Sequence, residues 1–99
     1  MDEGRFVATL HMLTTEQGGR KTSFQLGYRP QFYIADPTAS TSCFIHEIEG
    51  KEQVAPGETV TIEASLLMPE IIGPLETGTR FQIREGSRVL GWGIVQCLI

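Results

Sequence analysis

Nowhere in these 99 residues does an apolar run approach the length needed to cross a bilayer. The opening Met1-Asp2-Glu3-Gly4-Arg5 is acidic and leads into no apolar leader core, so the chain reads as soluble and cytoplasmic, with no membrane partner. Cysteine is scarce: Cys43 and Cys97 stand alone, without CxxC spacing, and two buried free thiols are expected rather than a disulfide. His11 and His46 keep no zinc-like spacing to each other or to either cysteine, and no metal site is expected. Basic charge is short too. Eight Lys and Arg against twelve Asp and Glu give a formal net charge of -4, which excludes a protein whose whole surface is a nucleic-acid or anionic-membrane footprint. Any RNA contact has to be local.

Helical signals are also missing: no segment of helical length holds an apolar stripe, and no internal repeat is visible. What is present is period-two alternation. Phe6, Ala8, Leu10 and Met12 alternate with Arg5, Val7, Thr9 and His11, and Val60, Ile62, Ala64 and Leu66 alternate with Thr59, Thr61, Glu63 and Ser65. Phe81 and Ile83 do the same against Arg80, Gln82 and Arg84. Between these runs lie turn residues: Gly18-Gly19, Gly27, Asp36-Pro37, Pro56-Gly57, Gly73-Pro74 and Glu85-Gly86-Ser87. The spacing predicts strands near 5–13, 31–35, 41–48, 58–68, 79–85 and 88–98, with a hairpin at Arg84 to Arg88. Many short strands with regular turns mean an all-β barrel or sandwich, and residues 1–99 leave room for a single core and a single domain.

One stretch is more specific than generic strand sequence: Gly18-Gly19-Arg20-Lys21-Thr22-Ser23-Phe24 followed by Gly27-Tyr28-Arg29-Pro30-Gln31-Phe32-Tyr33. It resembles the GGRxTxF…GYRPQFY signature of the C-terminal, third domain of bacterial elongation factor Tu. Ala55-Pro56-Gly57-Glu58 is similar to that family's MPGD turn, and Arg80-Phe81-Gln82-Ile83-Arg84-Glu85-Gly86-Ser87-Arg88-Val89-Leu90-Gly91-Trp92-Gly93 to its RFAIREGGRTVGAG ending. The resemblance implies a six-stranded antiparallel β-barrel, here as a stand-alone protein. The family's GTPase domain, with its phosphate loop and Mg²⁺ ligands, has no counterpart in this sequence. Neither a nucleotide nor another cofactor is therefore expected.

Three substitutions and one insertion bear on interfaces. The family's Ala in RFAIRE, which faces the GTPase domain in the full factor, is Gln82 here. The second glycine of the hairpin is Ser87, and a small residue between the last two glycines is Trp92. The stretch from Met68 to Arg80 also runs about three residues longer than in the family. Together these suggest a specialised paralogue.

By resemblance, Arg20, Gln31, Glu85 and Gly86 are the positions that touch the T stem of tRNA, and Arg20, Lys21 and Arg29 would form one basic patch. The structural alternative is that Arg20 and Arg29 pair with carboxylates across the barrel mouth while Pro30 and the aromatics fill the core. For Trp92, burial is the favoured expectation, because large aromatics in strands usually fill the interior. If the barrel instead takes the face of Gly91 and Gly93, then Trp92 with Leu90 and Ile94 makes an exposed apolar patch. An enzyme is not expected: Glu47, Glu49, Glu52 and Glu63 read as a solvated acidic surface, the two histidines lack predictable partners, and no Ser or Cys sits in a nucleophile motif. Two functions remain. One is protein binding around translation elongation, with elongation factor Tu, its exchange factor, or a protein that binds them as partner; the other is weak RNA binding to the T arm of tRNA.

Overall fold

The computed structural model describes residues 4–35 and 38–99; the expected turn at Asp36-Pro37 and the acidic start through Glu3 lie outside the described residues. Eight strands and one helical turn follow in order: β1 (Arg5–Met12), β2 (Phe24–Gln25), β3 (Gln31–Ala35), β4 (Thr38–Ile48), β5 (Gln53–Val54), β6 (Thr59–Leu66), α1 (Pro69–Ile72), β7 (Arg80–Glu85) and β8 (Arg88–Leu98). Six of them close an antiparallel barrel in the order β1-β6-β4-β3-β7-β8, and β2 pairs with β5 in a separate two-stranded ribbon. Closure leaves no open sheet edge in the barrel, which removes the template for edge-to-edge aggregation. No helix among the described residues is long and apolar enough to cross a membrane.

Alternation in the sequence becomes inside and outside. In β1 Phe6, Ala8, Leu10 and Met12 are buried, and in β6 Val60, Ile62, Ala64 and Leu66 are. Three rings meet at the centre. Phe32 and Phe81 stack with centroids 4.7 Å apart, and Phe6 meets them edge-on at 5.6 and 5.9 Å, arrangements that satisfy the ring quadrupoles. Phe81 fits because Gly93 has no side chain. A Cβ built there would sit 2.5 Å from the Phe81 ring and 2.6 Å from the Thr9 carbonyl oxygen.

Three register shifts interrupt the ladder, and the two in β8 correct the expected faces. Between β7 and β8, Ile83 opposes Gly91 but Arg84 opposes Val89. Leu90 is thus the extra residue of a bulge, and it turns inward to full burial rather than joining an outer patch. Between β1 and β8, Val7 opposes Cys97 and Ala8 opposes Val95. The extra residue, Gln96, moves Cys97 onto the outer face shared with Val7, so Cys97 is exposed where burial was expected, while Cys43 is buried. In β4, Ile45 opposes Ala64 and Glu47 opposes Glu63, which leaves His46 as the extra residue.

Two small elements lay below sequence resolution. The β2–β5 ribbon is two residues per strand. The single turn α1 begins with Pro69 at its start, stops at Gly73 (φ 83°), and lies within the longer stretch before Arg80. It packs against β4 with Ile72 buried, and the following Leu75 is buried as well. The hairpin at Glu85 to Arg88 forms as expected, with Gly86 at φ 63° in the first central position of a two-residue turn, the conformation a type II′ connection requires.

Burial pushes the Cys43 thiol up to about 12, and thiolate is the reactive form. Titration of the native protein with a thiol reagent should therefore modify Cys97 quickly and Cys43 only after denaturant is added; a slow Cys97 would contradict the outward turn at Gln96, and a fast Cys43 its burial. Gly93→Ala should destabilise the barrel by about 1 to 3 kcal/mol, the usual cost of overpacking a core, read from urea unfolding at unchanged m-value. A variant as stable as the parent would mean that Phe81 does not occupy the space over Gly93.

Candidate functional site

Three of the residues singled out by resemblance, Arg20, Glu85 and Gly86, gather at the hairpin end of the barrel. The loop after β1 folds on itself through Gly18 N–H to Thr15 O at 3.1 Å and Gly19 N–H to Thr14 O at 2.9 Å. Gly19 is required there, since a Cβ would sit 2.5 Å from the Leu13 carbonyl oxygen. Arg88, just past the hairpin turn, donates from Nε to Gly18 O at 3.0 Å and from Nη2 to Gly19 O at 2.7 Å. Its fork clamps the loop against the hairpin and places Arg20 beside Glu85.

Arg20 is fully engaged. Its Nε donates to Thr22 O at 3.2 Å, its Nη1 forms an ion pair with Glu85, and its guanidinium carbon lies 4.9 Å from the centre of the Tyr28 ring. The Tyr28 hydroxyl donates to the same Glu85 carboxylate, and the ring stacks on Phe24 at 4.6 Å. Burial works against the Arg20 charge, but Tyr28 and Glu85 more than offset it and hold the Arg20 pKa above its ordinary value. Burial and the bond to Glu85 push the Tyr28 phenol upward, so it stays neutral. Arg20, Glu85 and Gly86 thus come together, with the positive charge of Arg20 already matched by a carboxylate.

The other expected positions are the patch residues Lys21 and Arg29 and the tRNA-contact position Gln31. Lys21 is exposed in the same loop. Gln31 is exposed on β3, opposite Arg84 and Ser42. Arg29 packs over the ring of Phe44 at 5.1 Å and borders a notch with Ser42, Ser65 and Leu67. The carboxylate pairing considered for both arginines is seen for Arg20; for Arg29 the partner is an aromatic ring.

A second surface runs along the outside of the wall. Successive register pairs align Ser40, Tyr33, Gln82, Trp92, His11 and Thr59 across all six barrel strands. Trp92 is exposed at 41%, which overturns its expected burial. The reason is steric: Gly91 and Gly93 sit at buried positions where a Cβ would strike the His11 and Thr9 carbonyls, so only a residue without a side chain fits there, and Trp92 between them must face out. Its ring stacks on His11 at 4.2 Å, and His11 Nδ1 lies 2.9 Å from Thr59 Oγ1. Next to it, Arg84 covers the Tyr33 ring at 3.7 Å and donates from Nε and Nη2 to Gln82 Oε1 at 3.0 and 2.7 Å. A notch of about 280 Å³ opens between Tyr33 and Trp92, bounded by Arg80, Phe81 and Gln82.

Other titratable groups serve the fold. Glu63, expected to be solvated, is half-buried and paired with Arg5. His46 Nε2 lies 2.7 Å from Ser65 Oγ and its ring leans on Phe44, a partner that only the strand register reveals. Glu58 accepts from Lys51 and from Ala55 N–H at 2.7 Å, which holds its carboxyl below the ordinary range and locks the Pro56-Gly57 turn. Among the described residues, no group of three or more His, Cys, Asp or Glu is placed to hold a metal ion.

The chain belongs to the elongation factor Tu C-terminal domain family, whose model matches residues 2–99. That match and the closed six-stranded barrel agree with the resemblance carried by the glycine-arginine loop and the GYRPQFY stretch. A hydrogen bond from a neutral donor to a carboxylate contributes about 1.5 to 3 kcal/mol, and less at a partly exposed site. Tyr28→Phe removes one such bond and should lower the thermal midpoint by about 4 to 8 °C, the shift expected for about 1 kcal/mol in a domain of this size. An unchanged midpoint would mean that the Tyr28 hydroxyl adds nothing to what the Arg20–Glu85 pair and the Arg88 clamp already hold.

Proposed function

We propose that this elongation factor Tu C-terminal domain works as a non-catalytic docking module that binds a protein partner of the translation elongation machinery in the cytoplasm. The observation that supports it is the half-exposed Trp92, stacked on His11 and flanked by Gln82 and Tyr33 on the outer wall. Trp, Tyr and Arg are the residue types that most often carry binding energy in protein interfaces. A tryptophan held in one orientation by a stack and a neighbouring hydrogen bond loses little freedom when a partner covers it. Elongation factor Tu, its exchange factor, and proteins that bind them are the partners a domain of this family would meet.

The tRNA reading draws on a different observation, the meeting of Arg20, Glu85 and Gly86 at one turn. Magnitudes weigh against it. With Arg20 matched by Glu85, Lys21 and Arg29 leave the expected patch about two phosphate contacts, which implies a shallow salt slope and micromolar or weaker affinity. The formal net charge of -4 opposes even that.

Pull-down from lysate with and without nuclease separates the two. A captured protein should survive nuclease treatment, be lost with Trp92→Ala, and be retained with Arg20→Ala. Nanomolar tRNA binding that Arg20→Ala abolishes, with the circular dichroism spectrum intact, would replace the docking reading with the RNA one.

A further inference from the structure

Resting on that docking reading, we infer that the notch between Tyr33 and Trp92 seats an acidic peptide segment of the partner: one apolar side chain enters the notch, and a neighbouring carboxylate meets Arg80. The volume decides the size of the guest. About 280 Å³ falls at or below the smallest sites that hold whole small molecules, which span roughly 300 to 1,000 Å³. One or two side chains fit better.

Charge decides the chemistry. Arg80 and Gln82 stand on the same outer row of β7, diagonal to and opposite Trp92 on β8. Among the described residues no carboxylate lines the notch, and the ion pairs fall on Arg5, Arg20 and Lys51, not on Arg80 or Arg84. Arg84 is spread over Tyr33 and donates to Gln82 Oε1, which leaves the Gln82 amide NH₂ as a donor beside the notch. Two arginines and an amide around an aromatic wall favour a guest with acceptors and negative charge, through charge-assisted hydrogen bonds. This cationic spot sits on a chain of formal net charge -4. A short acidic segment whose contacts stay within the notch meets mainly the local charge, because potentials are screened beyond about 8 Å at physiological salt. A long polyanion would have to cross the acidic remainder.

Trp92 is the chain's one tryptophan, so its emission reports on the notch without engineering. The probe is a capped pentapeptide with a central phenylalanine flanked by glutamates. Its controls are the same peptide with glutamines for glutamates, and a ten-nucleotide oligouridine. The acidic peptide should shift Trp92 emission to shorter wavelength saturably, and both the glutamine peptide and Arg80→Gln should weaken binding by about tenfold or more, equivalent to about 1.4 kcal/mol. Arg80 is exposed, so Arg80→Gln should keep the parent circular dichroism spectrum. Equal affinity for the neutral peptide, tighter binding of oligouridine, or no change in emission up to about 1 mM peptide, an affinity of only about 4 kcal/mol, would each overturn the inference. So would a nuclease-resistant partner in the pull-down that Trp92→Ala releases but Arg80→Gln does not, an outcome that leaves the docking function standing.

Discussion

The contact between Phe81 and Gly93 is the constraint on which the rest of the barrel depends. Phe81 stacks on Phe32 and meets Phe6, which ties β7, β3 and β1 into one core, and it does so over a position on β8 where any side chain would collide with it. Interiors are packed like crystals, so a space that admits a ring on one strand must be left open by its neighbour. Side chains alternate along a strand. Once Gly91 and Gly93 are committed to the interior, Trp92 is committed to the outside, where Gln82 and His11 are its cross-strand neighbours. The most exposed aromatic surface of the domain is thus a by-product of how its core closes.

The two surfaces of the barrel differ in how far their charges are already matched. At the hairpin end, Glu85 takes both Arg20 and the Tyr28 hydroxyl, and Arg88 is spent on the Gly18 and Gly19 carbonyls. That arrangement is rigid and closed, and a ligand there would have to compete with bonds already made. On the outer wall, Arg80 borders an open notch and Arg84 lies over a ring instead of against a carboxylate. A cation over an aromatic face keeps its charge available to a newcomer. The same residue type therefore anchors the fold in one place and, among the described residues, stays unpaired with a carboxylate in the other.

Much of the barrel was legible in the sequence because each strand of β1, β6 and β7 has one polar and one apolar face, and the period-two pattern follows directly from burial on a single side. The hairpin at Gly86 was legible from turn chemistry alone. In β8 both faces are apolar, so periodicity carried no information about which one is inside, and the bulges at Leu90 and Gln96 then moved Leu90 inward and Cys97 outward against simple parity. Elements as short as β2, β5 and α1 contain too few residues for any period to show. Partners such as Ser65 for His46 and Arg5 for Glu63 are set by pairing across strands distant in sequence, and no local pattern encodes register of that kind.

Register also changes what the departures from the family pattern mean. Gln82 and Trp92 are separate substitutions in the sequence, but they oppose each other directly on β7 and β8. A polar amide beside an outward indole, with His11 stacked behind and Arg84 bridging to Tyr33, is a single altered patch. The resemblance implies that the position of Gln82 faces the GTPase domain in the full factor. A tryptophan next to it enlarges the side-chain surface at that place, and close-packed interfaces do not absorb such volume without rearrangement. The two changes therefore reshape that face together, giving it an aromatic wall, an amide donor and a cationic border.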